Sequence, residues 1–156
     1  MRPKVYVETT IVSYLTATPS GDIIKAAHQR LTREWWAKRD HFDVFVSQAV
    51  LKESARGDRN EAARRLAALQ GIPVLAGGVD VSELVERFIT SSAFPAKAFI
   101  DAVHVAVSVV HGMNYLLTWN CTHIANAAIR GKIEGVCRAS GFEPPTICTP
   151  EELMEN

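Results

Sequence analysis

Residues 4–15 read Lys4-Val5-Tyr6-Val7-Glu8-Thr9-Thr10-Ile11-Val12-Ser13-Tyr14-Leu15, and they set the architecture of the chain. Val5-Tyr6-Val7 is a β-branched and aromatic run of the composition that suits a buried strand. A carboxylate, Glu8, stops it. Two hydroxyl residues follow, and Ile11, Val12 and Leu15 then recur at helical spacing. A strand, an acid at its carboxyl end and a helix directly after make the opening half of a βαβ unit. Ligands of open α/β sheets sit in the crevice at the carboxyl ends of the strands, so Glu8 falls where chemistry is usually done. Its alternative explanation is local: an acid there also caps its own helix, favoured by the positive end of the dipole.

Working outward, the same alternation continues. Asp43-Val44-Phe45-Val46 reads as a second strand, with Ser47 placed to cap a helix that carries Glu53 on its second turn. Ile72-Pro73-Val74-Leu75 is a short strand whose proline points to an edge position. Tyr115-Leu116-Leu117-Thr118 and Thr146-Ile147-Cys148 supply two more. Between them lie helices. Asp22 to Lys38 places Ile24, Ala27, Leu31 and Trp35 on one stripe, with a basic outer face. Trp35 and the adjacent Trp36 diverge by about 100° and cannot share one core. Asp58 and Glu61 form a capping box before Ala62, Leu66 and Leu69, and Asp80 and Glu83 form another before Leu84, Val85 and Phe88. Ala96 to Val110 is apolar nearly all round, the mark of a central helix, with Asp101, His104, Ser108 and His111 on a single face and Gly112 as its stop. Helical residues follow Asn120 towards Ser140-Gly141, and Thr149-Pro150-Glu151-Glu152 is expected to open a terminal helix. The expectation is one domain over residues 1–156, a three-layer α/β/α sandwich around a parallel sheet of about five strands.

Composition narrows the function classes. With 47% hydrophobic and 22% charged residues the chain is globular rather than disordered. No run approaches the roughly 18 apolar residues of a membrane span, and no apolar signal region precedes the first strand. Three cysteines, Cys121, Cys137 and Cys148, lack metal-finger spacing and suit a reducing, cytoplasmic setting. Lys and Arg together number 17, as do Asp and Glu, so the formal charge is zero. A protein gripping a long stretch of nucleic acid unaided is usually basic. Any nucleic-acid contact is therefore short, or helped by a metal or another chain.

Four polar residues occupy equivalent places in this layout. Glu8 and Asn120 end two strands, Glu53 is early in a helix after a strand, and Asp101 is early in a helix before one. If the strand ending at Thr118 lies beside the first, all four meet over the carboxyl edge of the sheet. Oxygen clusters of that sort suit Mg²⁺ or Mn²⁺. Glu53 taken alone could be an exposed surface acid. Asp101 is harder to explain that way, since an unpaired carboxylate in so apolar a helix is costly without a cation, a donor or solvent.

At these residues the sequence resembles the PIN-domain ribonucleases, especially the VapC-type toxins of type II toxin–antitoxin pairs. The resemblance runs nearly the full length. It rests on Val7-Glu8-Thr9-Thr10, on the acid in Ser47-Gln-Ala-Val-Leu-Lys-Glu53, on Phe99-Ile100-Asp101-Ala102-Val103-His104-Val105-Ala106, and on Leu116-Leu117-Thr118-Trp119-Asn120. It implies that Glu8, Glu53, Asp101 and Asn120 are catalytic and hold the divalent metal, with Thr9 or Thr118 supporting them. The implied activity is endoribonuclease cleavage of RNA phosphodiesters by a metal-activated water, with Asp101 helping to remove its proton. A homodimer and a small cognate antitoxin are implied partners. Two positions depart from the family, which usually has Asp where this chain has Glu8 and commonly has an acid where it has Asn120. Three carboxylates then remain, enough for one Mg²⁺ or Mn²⁺, with a second held more weakly.

Among the histidines, His104 lies one turn beyond Asp101, where it could orient that acid or touch a phosphate, or be a satisfied core residue. His123 is expected near substrate on the first turn of the helix after Asn120. His28, His41 and His111 read as surface or capping residues. Lys52, Arg56 and Lys97 are candidates for phosphate contacts. Two rivals stand beside the nuclease: a PIN-like RNA- or protein-binding module with a weak or vestigial site, and another phosphoryl-transfer enzyme such as a phosphatase. The second lacks an aspartate nucleophile after the first strand, and no G-x-x-x-x-G-K-[ST] loop supports a nucleotide triphosphatase.

Overall fold

In the computed structural model, which describes residues 1–154, strand β1 (Lys4–Val7) is followed by Glu8 and helix α1 (Thr9–Thr16). Val5, Tyr6 and Val7 have no solvent exposure, as expected of a strand covered on both faces. The chain continues through α2 (Ile23–Ala37), β2 (Asp43–Ser47), α3 (Gln48–Ser54), α4 (Arg59–Leu69) and β3 (Val74–Leu75). Then come α5 (Val79–Thr90), α6 (Phe99–Val110), β4 (Tyr115–Leu117), α7 (Ala127–Ala139) and β5 (Thr146–Cys148). Short 3-10 turns precede β2 and α6.

All strand pairs are parallel, in the order β3-β2-β1-β4-β5. From β1 the chain builds outward to β2 and β3 on one side, then returns to β4 and β5 on the other. The gap between β1 and β4 is thus the switch point, where open α/β sheets bind their ligands. The register pairs Val7 with Leu117, and the Glu8 N–H donates to the Leu117 carbonyl at 3.1 Å. Glu8 and Thr118 are consequently side by side at the carboxyl end of the switch. Helices pack in two groups, α1 against α2, α3 and α4, and α5 against α6 and α7, which makes the three-layer α/β/α sandwich. No helix among the described residues is long and apolar enough to cross a membrane.

Several helices differ in detail from the pattern of apolar spacing. Ile24 is 68% exposed, and α2 buries Gln29, Thr32 and Trp35 instead, because Gln29 bonds the backbone of Thr18 and Ser20 and Thr32 receives the Trp119 indole N–H. Trp36 lies partly outside with the Arg39 guanidinium over its ring. Leu66 on α4 is also exposed. Helix α5 begins one residue before Asp80, after Gly78, so Asp80 sits in its first turn and caps nothing. Helix α6 is buried along most of its length, but Phe99 and Ile100 in its first turn face solvent. Helix α7 starts only at Ala127, capped by Asn126, and residues 121–126 form a turn-rich loop. Past β5, Thr149 donates from its N–H and hydroxyl to Glu152 at 3.2 Å, but only one turn follows. The terminal helix expected to open there does not form over residues 150–154, and residues 155–156 lie outside the described residues.

Candidate metal centre

Glu8 ends β1 and is the N-cap of α1, so both explanations of this acid apply at once. Its Oε1 atom accepts from the Thr10 N–H at 3.2 Å, from the Thr10 hydroxyl, and from the Thr118 hydroxyl at 2.6 Å. Glu53, on the second turn of α3, is held in the same manner. Its Oε1 accepts from the Thr9 hydroxyl at 2.7 Å and lies 2.5 Å from Nε2 of His104 on α6. No donor among the described residues reaches Oε2 of either acid. Each carboxylate therefore spends one oxygen on the protein and keeps the other. One ligand atom each from Glu8, Glu53 and His104 lie within 4.8 Å of one another. The two carboxylates suit a hard divalent cation in charge and in donor type, with His104 bonded to Glu53 beside them.

The electrostatics of the two acids differ. Burial pushes the Glu8 carboxyl above its ordinary range; attraction to His104 and hydrogen bonds from Thr10 and Thr118 reduce that effect without cancelling it. Burial pushes Glu53 upward too. Hydrogen bonds from His104 and Thr9, and attraction to His104 and Arg56, more than offset it and hold this carboxyl below the ordinary range. Glu8 is 3% exposed, so its negative charge has little solvent to stabilise it, and a cation shared with Glu53 would supply what solvent does not.

Asp101 and Asn120 fall outside this trio. Both are tied to His123, which gives its backbone N–H to the Asn120 side-chain oxygen at 3.1 Å and places Nδ1 3.0 Å from Oδ2 of Asp101. Asn120 is itself fixed by its N–H donating to the Thr118 hydroxyl at 2.9 Å. His123 thus stands beside the acids, but in the loop before α7 rather than on a helical turn. His104 has 0% exposure and makes its bonds to Glu53 and Tyr6. It neither orients Asp101 nor presents a nitrogen to solvent for a phosphate, because its ring points inward beneath the acids. Thr9 and Thr118 are buried and hydrogen-bonded to Glu53 and Glu8 respectively.

Three participants escape a reading of the sequence. Tyr6 places its hydroxyl 2.6 Å from Nδ1 of His104 and 2.7 Å from the Ser47 hydroxyl. In the strand pattern it counts as one more apolar residue, and Ser47 reads as a helix cap, which it also is. The signal was the phenol itself: a tyrosine in a strand buried on both faces needs a partner for its hydroxyl. Thr10 bridges Glu8 to the loop after β4 by accepting from the Trp119 N–H at 2.8 Å. The Trp119 ring in turn stacks on His28 at 3.9 Å between centroids, so His28 is packed rather than free on the surface.

Comparison with models of known protein families and with curated proteins finds no match to this sequence.

Proposed function

We propose that this chain is a divalent-metal-dependent endoribonuclease of the PIN type, the toxin of a VapC-like toxin–antitoxin pair acting in the cytoplasm. One observation carries the reading: Glu8 and Glu53, each with an unspent oxygen, converge with His104 at the β1–β4 switch point. A bound Mg²⁺ or Mn²⁺ supplies Lewis-acid activation of water and neutralises charge at phosphorus. Glu8 and Glu53 would hold that ion, while Thr9, Thr10 and Thr118 keep the carboxylates in place. Asp101, with Oδ2 engaged by His123, keeps Oδ1 as proton acceptor for the attacking water. Lys52, Arg56 and Lys97 make no ion pair among the described residues, which supports their use on RNA phosphates. Exposed Ile23, Ile24, Val79 and Phe99 support a protein partner, in keeping with a homodimer and an antitoxin.

The test is cleavage of a single-stranded RNA with Mn²⁺. Asp101→Asn is expected to lower the rate by about 10²–10⁴-fold, and chelator or Glu53→Gln to abolish it. Cleavage that ignores both chelator and Glu53→Gln overturns the reading. One observation favours the weak-site alternative: the fourth position is the neutral Asn120, and its side-chain oxygen accepts from the His123 N–H. Absence of Mn²⁺ binding in calorimetry at about millimolar concentration would select that binding-module reading.

A further inference from the structure

His104 is the member of the trio whose role the geometry defines most narrowly. It lies between two groups, with Nε2 2.5 Å from Oε1 of Glu53 and Nδ1 2.6 Å from the Tyr6 hydroxyl. The chain runs on from Tyr6 to the Ser47 hydroxyl at 2.7 Å, and Ser47 Oγ accepts from the Val50 N–H that it caps. Tyr6, Ser47 and His104 are all buried, so solvent does not compete for these bonds.

The direction of the donors follows from chemistry. An ionised carboxylate only accepts, so the proton between Glu53 and His104 resides on Nε2. Nδ1 is the other ring nitrogen, and it faces the Tyr6 hydroxyl at 2.6 Å. The phenol has one hydrogen to give, and Nδ1 is the acceptor it meets. Ser47 then donates to the phenol oxygen. Every bond points the same way, from Ser47 through Tyr6 and His104 to Oε1 of Glu53.

We propose that His104 is a positioning residue and not a cation ligand: the Ser47–Tyr6–His104 chain holds Oε1 of Glu53 and so presents Oε2 to the cation shared with Glu8. The proposal rests on the reading that Glu8 and Glu53 hold a divalent ion. Ligation by Nε2 would demand the reverse arrangement. Nε2 would lose its proton and its bond to Glu53, Nδ1 would carry the hydrogen, and Tyr6 would turn its own hydrogen towards Ser47. The two arrangements differ in one observable, the protonated nitrogen of His104.

Nitrogen NMR of the ¹⁵N-histidine-labelled protein reads it directly. The expected result is protonated Nε2 and bare Nδ1, both without metal and with saturating Mg²⁺. A proton on Nδ1, or loss of the Nε2 proton when Mg²⁺ is added, overturns the proposal. The second arm is Mn²⁺ affinity by calorimetry in Tyr6→Phe, which keeps the ring and removes the donor. Its Kd is expected to rise about 10–100-fold, the usual cost of losing a group that orients a ligand. An unchanged Kd, or a wild-type protein that binds no Mn²⁺, overturns it too. If Tyr6→Phe does not fold, the wild-type tautomer decides alone. Neither arm measures RNA cleavage, so a protein that binds Mn²⁺ with this relay intact but cuts no RNA sinks the nuclease and leaves the positioning role standing.

Discussion

Glu8 and Glu53 lie side by side yet titrate in opposite directions, and the difference has a measurable sign. The Glu8 carboxyl is raised above its ordinary value of 4.5 by burial, so from there up to its folded value the native state binds more protons than the unfolded one. Stability falls as pH rises through that window. Glu53 is lowered, so its contribution is complete above 4.5 and is lost as pH falls through its folded value. In thermal melts with chelator, wild type is expected to lose stability relative to Glu8→Gln as pH is raised from about 4.5, and added Mn²⁺ to reverse the loss. Parallel curves for the two proteins would show that Glu8 carries no such cost. At this scale the two acids were legible, because a carboxylate closing a strand is conspicuous. Tyr6 and Ser47 were not. A phenol within Val5-Tyr6-Val7 satisfies the pattern of a buried strand, and nothing local reveals that its hydroxyl meets His104, 98 residues away.

At the scale of elements, the site depends on which strand lies beside β1. Helix α3 brings Glu53 and helix α6 brings His104, but Glu8 meets Thr118 only because β4 pairs with β1 on the side that β2 leaves open. Spacing along the chain reveals strands but not their order, so that adjacency is visible only in the folded sheet. Helix starts were legible where a side chain closes the first turn. Asp22 accepts from the Lys25 N–H at 2.9 Å, and Asp58 from the Glu61 N–H at 3.0 Å. Asp58→Ala is expected to cost about 1 kcal/mol of stability through the lost cap, read as a lower urea midpoint with an unchanged slope. Helix α7 starts later than the sequence pattern suggests because Asn120, a good capping residue, uses its side chain on the His123 N–H without a helix forming there. The buried stripe of α2 departs from apolar spacing for a related reason: Thr32 is buried there and receives the Trp119 indole N–H at 2.8 Å, while Ile24 faces solvent. Polar residues with partners of their own take inner positions that periodicity reserves for apolar ones.

For the molecule as a whole, the α/β/α architecture follows from strands alternating with single or paired helices, a pattern visible along the entire chain. The zero net charge has a local counterpart, with Lys52 and Arg56 near Glu53 and acids elsewhere balancing them. The cysteines report on global integrity. Cys121 is exposed, whereas burial pushes Cys137 to about 11 and Cys148 to about 12. Alkylation near pH 8 is expected to modify one thiol quickly, and the other two only at the rate of opening under denaturant. Rapid modification of all three in the native protein would mean that the β5–α7 side of the sandwich opens far more readily than its packing implies.

The strand made first is the one that must sit in the middle. Emerging from a ribosome, β1 has one neighbour available once β2 follows, but its other edge stays bare until β4 is made. Glu8 waits for Thr118, 110 residues later. At roughly 5–20 residues per second that delay is about 5–20 s. Through that interval a nascent chain carries Glu8 and Glu53 without the strand that completes their surroundings, and an unpaired edge that another β-strand could occupy. The order of synthesis therefore acts as a timer: the centre is assembled late, after most of the sandwich exists to enclose it.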